Sequence, residues 1–591
     1  MKHSLQLSFA LIILVLSACN RENRPDTLTI KIIETSDIHG AIFPYDLIMD
    51  QPSKYSQAQI FSYVGQERSK PDQEVILLDN GDILQGDPLI YYYNFEQTNE
   101  PHIVARVMNY MQYDAATVGN HDIEPGHAVY DKLNSAFTFP WLAANALDKA
   151  TGNPYFKPYS IIEKKGVKVA VLGLITPAIP KWLPEKTREG IEFVDMIESA
   201  RYWVSQIQEK ENPDLLIGLF HSGLDYTYGN QDKTTRCNEN ASLLVAEQVP
   251  GFDVIFVGHD HKGWNKWAKT ADGNEVLILG ALNGAKTVTA STIKLFLDKK
   301  SNRYEKKISG EVVDIASFEP NQDFLKEFED AFAKASEYVS KPVAELQNPI
   351  STHPVFFGDA AFTDLIHEVQ LDITDADISF ATSNSFDLKL DTGLLQIRDI
   401  FKFHRYENLL YTMELTGSEI EDYLEYSYSL WYDQMHSPED HMLLFRKDSA
   451  GQVILNSNNL ASLENPFWNF DSSEGIDYEV DISKPEGNRI RIISLTNGAP
   501  FDPAHHYSVA LNSYRGNGGG EHLTIGAGIS RDSLSKRIQY ISERDLRWHT
   551  IQWLKQKGSV APKANGNWKV IPELWVENAK ATDQLLLFGP N

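Results

Sequence analysis

The sequence predicts a two-domain α/β chain, and three observations carry that reading. First, five short apolar runs in the N-terminal half each end in a cluster of Asp, His, Asn and Gly: TLTIKIIE before TSDIHG, EVILLD before NGD, DAATV before GNHD, PDLLIGLF before HSG, and FDVIFV before GHDH. Continuous apolar runs of this length suit strands buried on both faces. Second, HIVARVMNYMQ and MIESARYWVSQIQEK place helical periodicity between those strands, which predicts a layered α/β domain over about 28–320. Third, the pattern changes at 321–346. There Phe324, Leu325, Phe328, Phe332 and Ala335 recur at helical spacing against a charged face, and Pro342 closes the run. A connecting helix is expected there, with a second domain of mixed helix and strand patterns over 347–591.

Lys2 and His3 precede an apolar run from Leu5 to Leu16. That length suits a signal peptide and falls short of the roughly 20 residues that span a bilayer. The run ends in Leu16-Ser17-Ala18-Cys19, which resembles a bacterial lipobox. The resemblance implies cleavage before Cys19, a lipid on its thiol, and a polar tether over 20–27. A lipid-anchored protein of the bacterial cell envelope, facing the periplasm or the cell surface, is the expectation. Cys237 is then the one cysteine left, in a polar stretch, and reads as incidental. No later run is long and apolar enough to span a membrane.

Composition narrows the partners. The chain has 591 residues, 54 Lys plus Arg against 81 Asp plus Glu, and a formal charge of -27. Duplex nucleic acid is an unsuitable partner for such a surface, although a local cation-bearing cleft still attracts a small anion. No obligate protein partner is evident.

The polar clusters at the strand ends are Asp37-Ile38-His39, Gly81-Asp82, Gly119-Asn120-His121-Asp122, His221, and Gly258-His259-Asp260-His261. Singly each is a turn or a structural histidine. Together, on loops at one edge of a sheet, they form a mixed oxygen and nitrogen set suited to Zn, Mn, Fe or Co. Seven candidate ligands exceed the needs of one tetrahedral ion, and two ions sharing a carboxylate satisfy the set economically.

The ordered blocks DxH, GD, GNH[DE], H and GHxH resemble the calcineurin-like metallophosphoesterase superfamily. The long C-terminal domain makes the layout similar to the 5'-nucleotidase and 2',3'-cyclic-nucleotide phosphodiesterase family. The resemblance implies an N-terminal four-layer αββα metallophosphoesterase sandwich and a C-terminal α+β 5'-nucleotidase-type domain that binds nucleotide. It implies two divalent metal ions, the first on Asp37, His39 and His261, the second on Asn120, His221 and His259, with Asp82 bridging. It also implies that His121 faces the scissile phosphate as general acid while hydroxide between the metals attacks phosphorus. The acid paired with that histidine is typically Asp, and here the position is Glu124.

In the second half, FKFHRYENLLY (401–411), WNFDSSEGIDYEVDISKPEGNRI, and Asn512-Ser513-Tyr514-Arg515 followed by a glycine-rich run resemble the substrate domain of the same family, closest to its cyclic-phosphodiesterase/3'-nucleotidase branch. The resemblance implies a base clamp at Phe470 and Tyr514, and backbone that approaches a ligand at the glycines. Where 5'-nucleotidase-type members carry glycines and an arginine, this chain has Ser383-Asn384-Ser385-Phe386-Asp387. That departure tilts the expectation toward 2',3'-cyclic and 3'-nucleotides. The alternatives are a 5'-nucleotidase or UDP-sugar hydrolase on the same scaffold, and a nucleotide-binding lipoprotein without turnover.

Overall fold

The computed structural model describes residues 24–590; the leader, Cys19 and the first part of the tether lie outside the described residues. The chain divides into two compact units after Ala335, apart from the short excursion Pro180–Pro184, which groups with the second.

The first unit holds two six-stranded sheets. One contains β1 (Thr27–Thr35), β2 (Gln73–Asp79), β3 (Ala115–Thr117) and β4 (Trp141–Leu142), parallel in that order. The other contains β5 (Tyr159–Lys164), β6 (Val167–Ile175), β7 (Leu215–His221), β8 (Val254–Val257), β9 (Trp264–Lys269) and β10 (Glu275–Gly280), with β6, β7, β8 and β10 parallel neighbours. The long hairpin β11 (Thr287–Asp298) and β12 (Arg303–Asp314) extends the first sheet antiparallel to β1.

Side-chain alternation stacks these layers. Ile30, Ile32, Ile76 and Leu78 of the first sheet share one core with Val169, Val171, Ile217 and Phe256 of the second. The opposite faces of the second sheet's strands, at Ala170, Leu172 and Ile255, pack on helix α1 (Met196–Glu211) through Met196, Ala200, Val204 and Ile207. Continuous apolar runs are therefore required in the central parallel strands, because nearly every residue there faces either the other sheet or a helix. Full burial of one such Ile or Leu contributes about 1.5–3 kcal/mol. With Gln57–Arg68 packing against β2, the unit is an αββα sandwich.

The segment expected to be one connecting helix is two helices, Gln322–Glu327 and Glu329–Val339, and Pro342 begins a strand, Pro342–Leu346. The first of these helices and most of the second belong to the first unit. The apolar stripe is the reason. Phe324 and Phe328 pack on Phe61 and Tyr110, and Phe332 packs on Phe43. A face that buries two rings and half-buries a third is domain core, not a free linker.

The second unit is built on a five-stranded sheet of Ser472–Glu474, Ile378–Ala381, His506–Asn512, Leu409–Thr416 and Ile538–Asp545, in that spatial order. Helix Gly417–Trp431 starts on a capping box between Thr416 and Glu419. It buries Tyr423, Tyr428 and Trp431 in an aromatic core with Phe380, Phe470, Tyr478 and Trp568.

Candidate metal centre and second-unit site

Every expected ligand lies at the carboxyl end of a parallel strand of the first unit. Asp37 and His39 follow β1, Asp82 follows β2, Asn120 follows β3, His221 ends β7, and His259 and His261 follow β8. That edge is where α/β folds place ligands. The turns are sharp. Asp37, His39, Asp82, His259 and His261 all have positive φ, between 48° and 74°. The motif glycines make the room: a Cβ on Gly119 would lie 2.2 Å from Asp82 Oδ1, and one on Gly258 would lie 2.3 Å from Ser36 Oγ. Glycine is thus required beside the ligands by close approach.

The side chains converge as two groups that share one carboxylate. Asp37, His39, Asp82 and His261 bring one donor atom each within 4.8 Å of one another, as do Asp82, His221 and His259. His39 Nε2 and His261 Nε2 are 3.1 Å apart, and His261 Nε2 is 3.3 Å from Asp37 Oδ1. His221 Nε2 lies 3.1 Å from Asp82 Oδ2 and 3.1 Å from Asn120 Oδ1, and His259 Nδ1 lies 2.8 Å from the same Asn120 oxygen. Asn120 therefore joins the second group.

The outer ring nitrogens are anchored. His39 Nδ1 faces the Gln85 carbonyl at 3.2 Å, His221 Nδ1 the Asn80 carbonyl at 2.6 Å, and His259 Nε2 the Glu239 carboxylate at 3.3 Å. These contacts point the inner nitrogens at the cluster. Electrostatics matches. Burial depresses the His39 imidazole to about 4, so it is a neutral ring with a lone pair to offer. Burial opposes the charge on Asp37, but the His261 hydrogen bond and the His221 charge bring it down to about 2. Burial likewise opposes charge on His221, yet Asp82 lifts it to about 9, so proton and cation compete for that ring. Buried carboxylates, neutral imidazole and an amide oxygen converging on common points fit divalent cations of the Zn, Mn, Fe and Co class.

His121 stands beside this cluster, its ring centroid 5.4 Å from that of His39. Its Nδ1 is 2.8 Å from Glu124 Oε2, and its backbone N–H donates to Asp82 Oδ1 at 2.8 Å. The longer Glu side chain therefore reaches the ring. Residues 120–123 form one helical turn, which puts positions 121 and 124 on the same face.

Asp122, which the motif places among the ligands' neighbours, has a different task. It is fully buried and accepts from the backbone N–H of Asp82, Ile83, Leu84 and Gly119. It ties the loop after β2 to the loop after β3. Asp122 belongs to the sequence cluster at 119–122 without a role of its own there, and Glu239 belongs to none of the clusters. An acid three residues into a helical turn is a capping signal that finds Asp122; no local signal finds Glu239.

In the second unit the expected base clamp does not form as a pair. Phe470 is 2% exposed and stacks face to face on Trp431, with centroids 5.3 Å apart. It is core, packed among Trp431, Phe356 and their neighbours. Tyr514 is half-buried, with one ring face against Gly519, where a Cβ would lie 2.5 Å from the ring. The glycine run serves packing: Gly516 admits the Tyr411 ring and Gly520 the Arg515 guanidinium. Arg515 is fully buried and pairs with Asp471 through Nε and Nη2 at 2.8 and 2.9 Å. Nearby, Asn384, Tyr406, Asn408 and Asn512 line a small polar cavity.

A double-sheet sandwich with carboxylate, imidazole and amide donors at its strand ends defines a metallophosphoesterase domain, and residues 30–263 match the calcineurin-like phosphoesterase family. Residues 342–525 match the 5'-nucleotidase C-terminal domain family. The chain thus carries a calcineurin-like metallophosphoesterase domain followed by a 5'-nucleotidase C-terminal domain. A Bacillus subtilis protein named as a trifunctional nucleotide phosphoesterase is 26% identical over 93% of this chain, which spans 39% of that relative's length. A Yersinia enterocolitica 2',3'-cyclic-nucleotide 2'-phosphodiesterase/3'-nucleotidase is 23% identical over 95% of this chain and 91% of its own. Among solved structures, a Staphylococcus aureus protein crystallised with alpha-ketoglutarate superposes with a TM-score of 0.73 at 18% identity, covering 92% of this chain and 99% of its own. A 5'-nucleotidase precursor from Thermus thermophilus gives 0.59 at 20% identity, covering 92% and 100%. At these identities the structural likeness speaks to the fold.

Proposed function

We propose that the protein is a dinuclear-metal nucleotide phosphoesterase that hydrolyses 2',3'-cyclic nucleotides and 3'-nucleotides. The observation that carries the reading is Asp82, one buried carboxylate shared by both ligand groups, with His121 hydrogen-bonded to it through the backbone. Asp37, His39, Asp82 and His261 would hold one cation, and Asp82, Asn120, His221 and His259 the other. Cations there would supply Lewis-acid charge to phosphoryl oxygens and make water more acidic. The chain's own part is positioning and proton handling. Glu124 holds His121 by Nδ1 and fixes the direction of the ring, so a proton on Nε2 can pass to the departing oxygen, a contribution of about 10²–10⁴-fold. Tyr514, which is only half-buried, would be the ring that stacks on the base.

The substrate choice is supported by the Yersinia relative's name and by Ser383–Asp387, a loop without arginine. The 5'-nucleotidase name of the C-terminal family keeps 5'-nucleotides as the second reading. The envelope location is supported by the Leu16–Cys19 pattern alone. Among the described residues no helix is long and apolar enough to cross a membrane.

Phosphate release with added Mn²⁺ tests the proposal, using 2',3'-cyclic AMP, 3'-AMP, 5'-AMP and a UDP-sugar, with a coupled phosphatase for the diesters. Faster turnover of the cyclic and 3' compounds is expected. Preference for 5'-AMP would reassign the substrate and leave the chemistry standing. Nucleotide binding without turnover under any divalent metal would overturn the catalytic reading.

A further inference from the structure

We infer that Glu239 is a positioning residue for His259, and that it makes the second cation position tighter than its direct ligands alone would. This inference rests on the dinuclear reading above. Glu239 belongs to none of the five motif blocks. It sits on the loop between β7 and helix Ser242–Gln248, a segment that supplies no cation ligand.

That loop is built to deliver it. The Glu239 backbone N–H donates to Gln231 Oε1 at 3.0 Å, and its carbonyl accepts from Thr176 Oγ1 at 2.9 Å and Ser222 Oγ at 2.8 Å. On either side, Asn238 Nδ2 donates to the Tyr226 and Asp232 carbonyls, and Asn240 Oδ1 accepts from Gly223 N–H. The side chain is only 12% exposed, and Oε1 lies 3.3 Å from His259 Nε2. Burying a carboxylate this far costs several kcal/mol unless it is matched by a donor, and the facing imidazole N–H is that donor.

The consequence is a difference between rings. His39 and His221 are backed by neutral backbone carbonyls, at Gln85 and Asn80, and present Nε2 inward. His259 is backed by a carboxylate and presents Nδ1 inward, 2.8 Å from Asn120 Oδ1. A carboxylate fixes the proton on Nε2, which leaves the Nδ1 lone pair for a cation. It also fixes the plane of the ring, so that Nδ1 stays aimed at the cluster, and such an outer partner changes metal affinity by about 10–100-fold. Asn120, a neutral amide, is the weakest ligand type in the set, so the group that contains it gains most from an imidazole held in one orientation.

Calorimetric titration of the metal-stripped full chain with Mn²⁺ tests this, alongside the EPR signal of a spin-coupled Mn²⁺ pair. In Glu239→Gln one of two binding steps should weaken about 10–100-fold while the other keeps its affinity. The coupled-pair signal should then appear only at higher Mn²⁺, and activity lost at low Mn²⁺ should return as Mn²⁺ is raised. Asp232→Asn, on the same loop with an exposed side chain, should leave both steps unchanged. Equal affinities in wild type and Glu239→Gln would overturn the inference and leave the dinuclear reading intact. So would equal weakening in Asp232→Asn, which would assign the effect to loop integrity. A wild-type chain that binds fewer than two Mn²⁺ would overturn both.

Discussion

The strand-end loops of the first unit and the junction of 468–471 with 513–520 in the second both bury charge, and they do opposite things with it. At the junction Arg515 and Asp471 spend their charges on each other. The guanidinium also donates to Asn469 Oδ1 and to the Trp468 and Gly519 carbonyls, and Asp471 also accepts from the Tyr423 hydroxyl. Nothing is left to bind. At the strand ends the outer nitrogens of three rings are saturated by Gln85, Asn80 and Glu239, while the inner nitrogens and carboxylate oxygens converge. Buried charge by itself does not mark a site. Convergence of lone pairs does, because it is unfavourable until a cation sits among them.

The largest effect should come from breaking the convergence at its shared member. Asp82→Asn keeps the shape and removes the one charge that both groups use. Phosphate release should fall by about 10³-fold, at the upper end for losing one electrostatic stabiliser. Metal content measured on the same sample should fall with it, and circular dichroism should show an unchanged fold. Gly119→Ala should act the same way without replacing a ligand, since its Cβ would collide with Asp82 Oδ1 and displace it. Wild-type metal content in both variants would mean that Asp82 holds no cation.

His121 sharpens the contrast, because it stands at the cluster and should hold no cation. His121→Ala is expected to lower kcat by about 10²–10⁴-fold at unchanged metal content. A substrate with a good leaving group, which needs no proton, should recover most of the loss. Glu124→Gln keeps a hydrogen-bond acceptor for Nδ1 and should cost only about tenfold, as a positioning partner does. Equal losses on good and poor leaving groups would remove His121 from the role of proton donor.

The junction should respond in stability and leave the cluster alone. Arg515→Met strands a buried carboxylate and should destabilise the second unit by about 3–5 kcal/mol, and adding Asp471→Leu should restore most of it. The pH dependence carries the sign. Burial would raise Asp471, but the Arg515 charge holds it below the ordinary carboxylate value. A depressed carboxylate contributes stability in full above its unfolded value of about 3.9 and loses it as pH falls through the folded value. In Arg515→Met only the Tyr423 hydrogen bond and His522 still oppose burial, so Asp471 should rise above the ordinary carboxylate value and that variant should lose stability as pH rises above about 4. Chemical denaturation across pH 3–7 distinguishes the two slopes.

The same contrast explains what could be read from sequence. Metal chemistry admits few residue types, and each must stand at a strand end, so apolar runs followed by Asp, His, Asn and Gly give both the sandwich and the ligand cluster. The junction is invisible locally. Arg515 and Asp471 are 44 positions apart in sequence, and only folding brings them together. Glu239 is hidden for the same reason, on a loop of polar residues with no pattern of its own. The single helix expected over 321–346 differs from the two observed because an amphipathic stripe says that a face is buried, not against what. Its phenylalanines bury against the first unit.

Phe470 and Tyr514 set the last and smallest prediction, because sequence treats them alike and the structure does not. Any exposed ring offers a base a stacking face, so aromatic identity carries little information until burial is known. Phe470 has spent its face on Trp431. Phe470→Ala should therefore cost about 3–5 kcal/mol of stability, with KM unchanged in the molecules that stay folded. Tyr514 has one face on Gly519 and stays partly exposed. Tyr514→Ala should cost little stability and raise KM by what one base stack is worth, about 1–3 kcal/mol, which is roughly 5–150-fold. Tyr514→Phe keeps the ring and should keep KM. If Tyr514→Ala loses stability and keeps KM, then Tyr514 is packing like Phe470, and the base is recognised instead by the polar cavity that Tyr406, Asn408 and Asn512 line.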